Sequence, residues 1–334
     1  MKKLTLISLI LLAICASTAQ AQKKRMVVEE GTGITCGFCP QGIVGLETMY
    51  ETYPDRFIGI AIHSFNLKVG PECPEEYKAF ATSYFDSYPT CRIQRRYTET
   101  PRFGRLESRS LTIMNETPKL TAEVSSTLSD DGQSIEAICT ATAITANPGE
   151  HRIAFVLTED NVTGYKQTNS YAGGGYGAMG GFENMDAHAE IDLMHVARAT
   201  YDLYGAEESL PTELKAGDVV SYKRTLAIPS TVQNKANLNV IALLINVATG
   251  EIENGAEARL GLSSAPTAIS SPTYSLTAGP TVRASGGQIV ADGYSITGVF
   301  TPSGLSVANH SLPHGLYIVR LTDGQRTFTR RLLI

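Results

Sequence analysis

The hydrophobic positions in the first third of the chain form continuous runs that alternate with helix-spaced stripes. The runs at residues 26–28 and 56–63 predict buried strands. Between them, residues 39–53 carry apolar side chains three and four positions apart, which predicts a helix with one apolar face. Two more helices are predicted, one starting at Pro74 and one over residues 104–115. This alternation is typical of an α/β domain.

From residue 119 the hydrophobic pattern changes to strict alternation. The segments LTAEVSSTLS, SIEAICTATAITA and RIAFVLTED alternate apolar with polar side chains, and Asp-Gly and Pro-Gly turn signals separate them. Residues 218–228 and 238–246 show the same strand pattern. Residues 119–262 are therefore predicted to form an antiparallel β-sandwich. Residues 263–273 then have the small, polar composition of a linker, and short alternating strands with glycine turns follow it.

The first 21 residues have the three parts of a secretory signal peptide. Lys2 and Lys3 precede an apolar run at residues 4–13, and Ala19-Gln20-Ala21 supplies the small residues for cleavage after Ala21. The run is shorter than a membrane span requires. We therefore expect an exported protein, either secreted or held at the cell surface or outer membrane.

Composition narrows the classes of function. The 334 residues are 43% hydrophobic, which suffices for packed cores in more than one domain. The formal net charge is −5 and the isoelectric point is near 5.7, so no basic surface favours binding of nucleic acid. Cleavage of the signal peptide would leave five of the six cysteines in an oxidising compartment.

Two cysteines three positions apart, Cys36 and Cys39, stand where the first predicted helix begins. Thiols at this spacing can close a small disulfide, and the unpaired backbone N–H groups of a helix start stabilise a thiolate. The pair therefore predicts a redox-active site. A zinc site is disfavoured, because no second Cys-x-x-Cys and no paired histidines follow at a ligand-like distance.

With the strand before it and the helix after it, the Cys36-Gly37-Phe38-Cys39 segment resembles the thioredoxin superfamily. The resemblance implies that Glu30, six residues before Cys36, is the buried carboxylate that shuttles the proton of Cys39, with Glu29 as the fallback. It also implies that Pro89 follows a cis peptide bond and shapes a docking groove beside the disulfide. No cofactor other than this disulfide is implied.

Three segments, EEGTGITCGFCPQG, the strand that ends in His63, and YPTCRIQR, carry a narrower resemblance. Over about residues 22–260 the chain resembles the outer-membrane-protein-28-related family of secreted bacterial proteins, in which a thioredoxin-like domain precedes a β-sandwich. One position departs from the thioredoxin pattern: Thr35 stands where tryptophan is usual, and the chain contains no tryptophan. The usual hydrophobic docking surface beside the first thiol is therefore altered.

The C-terminal segment carries Gly304 in a turn, the run LPHGLYIV from Leu312, and the basic-apolar end RRLLI from Arg330. Together these elements resemble the C-terminal sorting domain of type IX secretion cargo, which implies recognition by that secretion machinery. The expected organisation is a signal peptide (1–21), a thioredoxin-like α/β domain (22–117), an antiparallel β-sandwich domain (118–262), a linker (263–273) and a small β-sandwich sorting domain (274–334).

After the predicted signal peptide, three cysteines lie outside the Cys-x-x-Cys pair. Cys73 and Cys91 bracket the helix predicted from Pro74 and are candidates for a structural disulfide, whereas a third redox partner at Cys91 or two free thiols are the alternatives. Cys139 shares strand parity with the apolar residues around it, which predicts a buried thiol in the sandwich.

Two further segments within the predicted sandwich resemble functional motifs. Residues 175–180 match G-x-G-x-x-G, but neither the strand nor the helix of a dinucleotide site flanks them, so a surface loop is predicted. His195 and Arg198 are predicted to be hydrogen-bonded inside or beside the sandwich. Ligation of a metal or haem by His188 and His195 is the alternative.

The sequence thus predicts a thiol-disulfide oxidoreductase or isomerase that acts on protein thiols and disulfides through Cys36 and Cys39. The alternative is a non-enzymatic surface protein on the same scaffold, which captures haem or another nutrient or mediates adhesion. The order of domains is similar to that of a haemin-binding thioredoxin-like surface protein. Cys39-Pro40 and Cys73-Pro74 are also dipeptides of the kind sometimes linked to haem contact.

Overall fold

The computed structural model describes most of the chain, namely residues 23–261, 282–285, 288–291, 293–300, 306–313, 316–322, 324 and 327–333. The predicted signal peptide and the predicted linker lie outside the described residues. The described chain divides into two compact units. The first holds residues 23–169 and 188–261, and the second holds residues 170–187 with the described residues from 282 onward.

The first unit begins with alternating strands and helices. They are β1 (Met26–Thr32), α1 (Pro40–Thr52), β2 (Phe57–His63), α2 (Glu75–Tyr84), β3 (Thr90–Ile93), β4 (Tyr97–Glu99) and α3 (Phe103–Met114). The three predicted helices and the strands predicted around residues 27 and 60 are confirmed. Strands β3 and β4 are too short for a hydrophobic period to predict.

The rest of this unit is rich in strands. They are β5 (Leu120–Leu128), β6 (Ser134–Ala143), β7 (His151–Glu159), β8 (Lys166–Thr168), β9 (His188–Glu190), β10 (Val196–Tyr201), β11 (Val219–Ala227), β12 (Leu238–Asn246) and β13 (Ile252–Arg259). The five strands that the alternating pattern predicts are confirmed as β5, β6, β7, β11 and β12.

One sheet of eight strands runs through both halves of the unit, in the order β13-β12-β7-β10-β2-β1-β3-β4. Strands β1 and β2 pair in parallel, and β10 joins β2 in parallel where Val196 faces Ala61. The Ala61 N–H donates to the His195 carbonyl at 2.8 Å. The boundary expected near residue 118 therefore falls inside one sheet and one compact unit.

A second sheet, β11-β6-β5, covers the β7, β12 and β13 part of the large sheet. Alternate side chains from both sheets fill the space between them, among them Val124, Phe155, Val240 and the Cys139 thiol. Cys139 is fully buried and unpaired, which confirms the prediction made from its strand parity. This antiparallel sandwich shares one of its layers with the α/β half.

Helices cover both faces of the large sheet around β1 and β2. Helix α2 packs on the face that carries Val27 and Ile60, whereas α1 and α3 pack on the face that carries Met26 and Val28. Since successive side chains of a strand point to opposite faces, Glu29 lies on the α2 face and Glu30 lies on the α1 face. The mixed architecture, one large sheet with few helices, fits a thioredoxin-like fold followed by β-rich segments.

Cys73 and Cys91 are free thiols on opposite faces of this sheet. Cys73 packs with α2, whereas Cys91 packs with α1 and α3. The disulfide expected between them is therefore not formed, because the sheet itself lies between the two sulfurs. Their positions along the chain, on either side of one helix, do not reveal this separation.

The second unit is β-rich. Its strands are β14 (Val282–Ser285), β15 (Gln288–Ala291), β16 (Ser295–Phe300), β17 (Ser306–Val307), β18 (Leu316–Thr322) and β19 (Thr327–Leu333). They form two antiparallel sheets, β14-β15 and β17-β16-β18-β19, around a small core that includes Ile289, Val299 and Val319. Residues 170–187 contain two short 3-10 turns, and Gly175, Gly177 and Gly180 are exposed, as expected of a surface loop.

The buried ion pair between Glu29 and Arg95 predicts a large stability effect. Both side chains are almost fully buried, so Glu29→Gln leaves an unpaired guanidinium inside the protein. We expect the free energy of unfolding of the full chain to fall by about 3–5 kcal/mol, measured by denaturant titration. Glu75→Gln, which removes an exposed pair with Lys78, is the control and should shift the midpoint little. A loss no larger than that of the control would contradict the prediction.

Candidate functional site

Cys36 and Cys39 form a disulfide at the start of α1, with their Cα atoms 5.3 Å apart. Cys39 caps the helix, and Pro40 occupies its first turn. Cys36 lies in the preceding turn, where its N–H donates to the Gly33 carbonyl at 3.1 Å. Cys36 retains 7% of its accessible surface and Cys39 none. Of the two cysteines, only Cys36 keeps any accessible surface.

Strand β8, which belongs to the β-rich half, holds the loop that leads into the disulfide. The Thr168 N–H donates to the Ile34 carbonyl at 2.7 Å, and the Gln167 side-chain amide donates to the Cys36 carbonyl at 2.9 Å. Ile34 itself is buried against Val162 and Leu193. The loop is thus fixed by backbone and side-chain hydrogen bonds on both sides of Thr35.

Glu30 lies under the first turn of α1. A Cβ on Gly42 would overlap Glu30 Oε1, so the carboxyl group occupies the space that this glycine leaves open. Burial disfavours the carboxylate and raises the pKa of Glu30 to about 8, although the nearby Thr32 hydroxyl opposes the shift. At neutral pH the Glu30 side chain is therefore mostly a neutral acid, placed within one helical turn of Cys39.

Glu29 faces away from the disulfide, and the structure corrects its role as the fallback proton carrier. Both of its carboxylate oxygens bind Arg95, at 2.9 and 2.8 Å, and Tyr77 Oη donates to Oε1 at 3.0 Å. Arg95 also donates to the Leu203 carbonyl at 2.8 Å. The Glu29 carboxylate is therefore engaged on the α2 face, with the sheet between it and Cys39.

Pro89 directly precedes β3, the strand that pairs with Glu30, and Cys91 lies on that strand. The Tyr88–Pro89 peptide is cis, as expected, and the following Thr90 pairs with Gly31 at the end of β1 from which the disulfide loop leaves. Cys91 pairs with Glu30 itself, and its thiol lies 3.2 Å from the Glu99 carbonyl. Burial, and next the neighbouring Glu30, raise the pKa of Cys91 well above its ordinary value, so this sulfur is a poor nucleophile.

Apolar side chains are exposed on the loop that follows β2. Phe65, Leu67 and Val69 keep 38%, 43% and 50% of their surface accessible. The Phe65 N–H donates to the Thr32 carbonyl at 3.1 Å, and its ring lies 5.1 Å from that of Tyr88. An apolar rim therefore borders the end of the sheet from which the loop with Thr35 leaves.

His195 and Arg198 are buried, and both have charged neighbours. Arg198 Nε lies 3.1 Å from Glu159 Oε2. His195 Nε2 lies 3.3 Å from Glu47 Oε1, and Nδ1 lies 3.4 Å from Asp160 Oδ1. The predicted hydrogen bond is confirmed for Arg198, whose guanidinium donates to the Thr231 carbonyl. The two ring nitrogens of His195 face the Glu47 and Asp160 carboxylates without forming a hydrogen bond to any described residue.

Sequence reasoning missed Glu47, Tyr50 and Glu257 as members of this buried polar group. Tyr50 Oη donates to Glu257 Oε2 at 3.0 Å, and its ring stacks on His195 with centroids 4.1 Å apart. The sequence does indicate that Glu47 is unusual, because it lies four residues after Ile43 and three before Tyr50, on the apolar face of the predicted helix. A charged residue at such a position calls for a buried partner.

The two Cys-Pro dipeptides do not present free thiolates. Cys39 is bonded to Cys36, and Cys73 is buried with its pKa raised to about 12, first by burial. Neither sulfur is thus available as a haem ligand in this state.

In the part of the chain that the structure describes, no helix is long and apolar enough to cross a membrane.

Among solved structures, the chain is similar to HBP35 of Porphyromonas gingivalis, with a TM-score of 0.51 and 20% identity over 94% of this chain and 99% of that one. At this identity the likeness shows a shared fold. A protein of Agrobacterium tumefaciens aligns with a TM-score of 0.44 and 15% identity, over 75% of this chain and 100% of that one. No protein-family model and no curated protein matches the chain.

The raised pKa of Glu30 predicts a pH-dependent stability. Glu30 binds its proton more tightly in the folded protein, near pH 8, than in the unfolded chain, where the ordinary value is 4.5. Compared with Glu30→Gln, the oxidised wild-type protein should therefore lose about 1.4 kcal/mol of stability per pH unit as the pH rises between these values. Denaturant titrations across this range measure the difference. If the free energies of unfolding of the two proteins changed equally with pH, the prediction would be contradicted.

Proposed function

We propose that the protein is a thiol-disulfide exchange protein that acts on protein thiols and disulfides through Cys36 and Cys39, with Glu30 as the acid and base and Pro89 shaping the docking groove. The observation that carries this proposal is the Glu30 carboxyl, buried under the helical turn that Cys39 caps and without an ion-pair partner among the described residues. An acid kept neutral in this position is suited to move one proton to and from Cys39.

In the oxidised state, a substrate thiolate attacks Cys36 Sγ and breaks the Cys36–Cys39 bond. Cys39 leaves as a thiolate and takes the proton of Glu30, while Cys36 is held in a mixed disulfide with the substrate. A second substrate thiolate then attacks the substrate sulfur of the mixed disulfide, so that the substrate leaves oxidised and Cys36 leaves reduced. The reverse sequence begins at Cys36 and returns the Cys39 proton to Glu30.

The difference in exposure between the two sulfurs supports this order of attack. Cys36 retains accessible surface, whereas Cys39 is sealed against the helix and the sheet. An incoming sulfur therefore reaches only Cys36, and Cys39 can act only on the mixed disulfide. The exposed rim of Phe65, Leu67 and Val69 would give an unfolded or extended polypeptide an apolar surface to lie against.

The proposal predicts that Cys36→Ser abolishes exchange. The mature protein should reduce insulin disulfides with dithiothreitol and promote the refolding of scrambled ribonuclease, and Cys36→Ser should do neither. Cys139→Ala, which removes a thiol buried in the sandwich core, is the matched control and should keep the activity. Equal and negligible activity in the wild-type and Cys36→Ser proteins would remove the enzyme proposal.

We propose in addition that the protein is exported by its N-terminal signal peptide and that residues 274–334 address it to the type IX secretion machinery. The described strands of that segment form antiparallel sheets with a core of their own, as expected of a separate sorting domain. Deletion of residues 274–334 should then leave the protein in the periplasm. Fractionation of cells that express the intact and shortened chains measures this, and equal surface amounts of both would contradict it.

A further inference from the structure

A small cavity lies beside Glu30, lined from α1, β1, β2 and the segment that leads into β10. It offers about 20 Å³ to the centre of a water-sized sphere, and about 10–15 Å³ is enough for one water molecule. Its polar lining consists of Glu30, Thr32, Glu47, His63 and His195. The cavity therefore connects the proposed acid of the site with a histidine and a second carboxylate.

Several polar atoms around this cavity have no hydrogen-bond partner within the described residues. They are Glu30 Oε1, Thr32 Oγ1, Glu47 Oε1, His63 Nδ1 and both ring nitrogens of His195, of which Nε2 lies 3.3 Å from Glu47 Oε1 without forming a hydrogen bond. Buried polar atoms in folded proteins are nearly always satisfied, and a buried water usually makes two to four hydrogen bonds. The available space and the unpaired atoms together match a bound water molecule that joins Glu30 to Glu47.

Glu47 differs from the other polar residues of the cavity because it also reaches solvent. Its Oε1 atom is buried, yet its side chain as a whole is 28% exposed. Glu30, Thr32 and His63 are each at most 5% exposed. A proton that enters the cavity from Glu30 can therefore leave through Glu47 without crossing the apolar core.

We propose that Glu47 is the proton exit and entry point of the site, linked to Glu30 by water in the cavity. The inference rests on the proposed exchange function, in which Glu30 gives its proton to Cys39. While the cysteine pair is reduced, the route lets Glu30 exchange a proton with solvent. Only protons move along this route: Glu47 passes one proton from solvent to the water, and the water passes one to the Glu30 carboxylate.

His195 is a positioning residue for Glu47. The His195 ring stacks on the Tyr50 ring. The backbone N–H of His195 donates to Asp160 Oδ1 at 2.9 Å, and its backbone carbonyl accepts from the Ala61 N–H. Nε2 of the held ring then lies 3.3 Å from Glu47 Oε1. Burial would lower the pKa of His195, but Glu47 and Asp160 outweigh it and raise that pKa.

The other ionisable groups around the cavity do not compete for this role. Burial, and then the charge of Arg198, lower the pKa of His63 to about 4, so His63 stays neutral while Glu30 exchanges its proton. Glu257, on β13, has a pKa raised to about 7 by burial and is hydrogen-bonded to Tyr50. Glu257 acts on His195 through charge but does not line the cavity.

The test follows the proton of Glu30 directly. In the oxidised full-length protein below pH 8, infrared spectroscopy detects the neutral carboxyl band, which Glu30→Gln should remove. After transfer to D2O, the band shifts as the proton exchanges. A positioned acid–base group typically contributes about 10²-fold or more, so Glu47→Gln should slow the exchange by about that factor. Glu47→Asp should restore part of the rate, and Glu51→Gln, an exposed acid one turn further along α1, should leave it unchanged.

The outcomes separate this inference from the function on which it rests. Slow exchange in Glu47→Gln and in His195→Gln, with a wild-type rate in Glu51→Gln, supports the route even if the wild-type protein proves inactive on disulfides. An unchanged exchange rate in a folded Glu47→Gln protein overturns it, even if the wild-type protein is active. If Glu47→Gln does not fold, Glu47→Asp and His195→Gln give the same comparison. In an active protein, Glu47→Gln should also slow the breakdown of the Cys36 mixed disulfide and change its pH profile.

Discussion

The pairing of β2 with β10 is the contact on which the rest of the first unit depends. It joins an α/β segment to a sandwich that starts more than fifty residues later, through the bond from the Ala61 N–H to the His195 carbonyl. Because this pairing places the two halves in one sheet, neither half presents an open edge at the join. It also brings His195, which lies beside Asp160, to Glu47 on α1.

Two adjacent glutamates in β1 show how a strand can give identical side chains opposite roles. Glu29 points towards α2 and meets a guanidinium that satisfies both of its oxygens. Glu30 points towards α1, meets the bare backbone of Gly42, and its pKa rises because no cation compensates for burial. The first arrangement stabilises a charge, and the second keeps a proton.

Much of this fold is encoded locally. The helix that follows Cys39, the strand that ends in His63 and the parity of Cys139 all follow from apolar spacing over a few residues, and the cis peptide at Pro89 follows from a family resemblance. The remainder depends on partners far along the chain. Strand β10 pairs with β2 at one register position and has a bulge against β7, which no local period encodes. Whether Cys73 and Cys91 lie on the same face of the large sheet depends on the path of the chain between them. The number of residues that separates the two cysteines does not specify that path.

The three unpaired thiols each occupy a different hydrophobic core: Cys73 lies beneath α2, Cys91 beneath α1 and α3, and Cys139 inside the sandwich. Once these cores close, no two of these sulfurs can meet, whereas Cys36 and Cys39 remain neighbours. Assembly of the cores therefore protects the chain from scrambled cross-links in an oxidising medium. The five cysteines of the described residues reach a single pairing by spatial segregation, without needing an even number of cysteines.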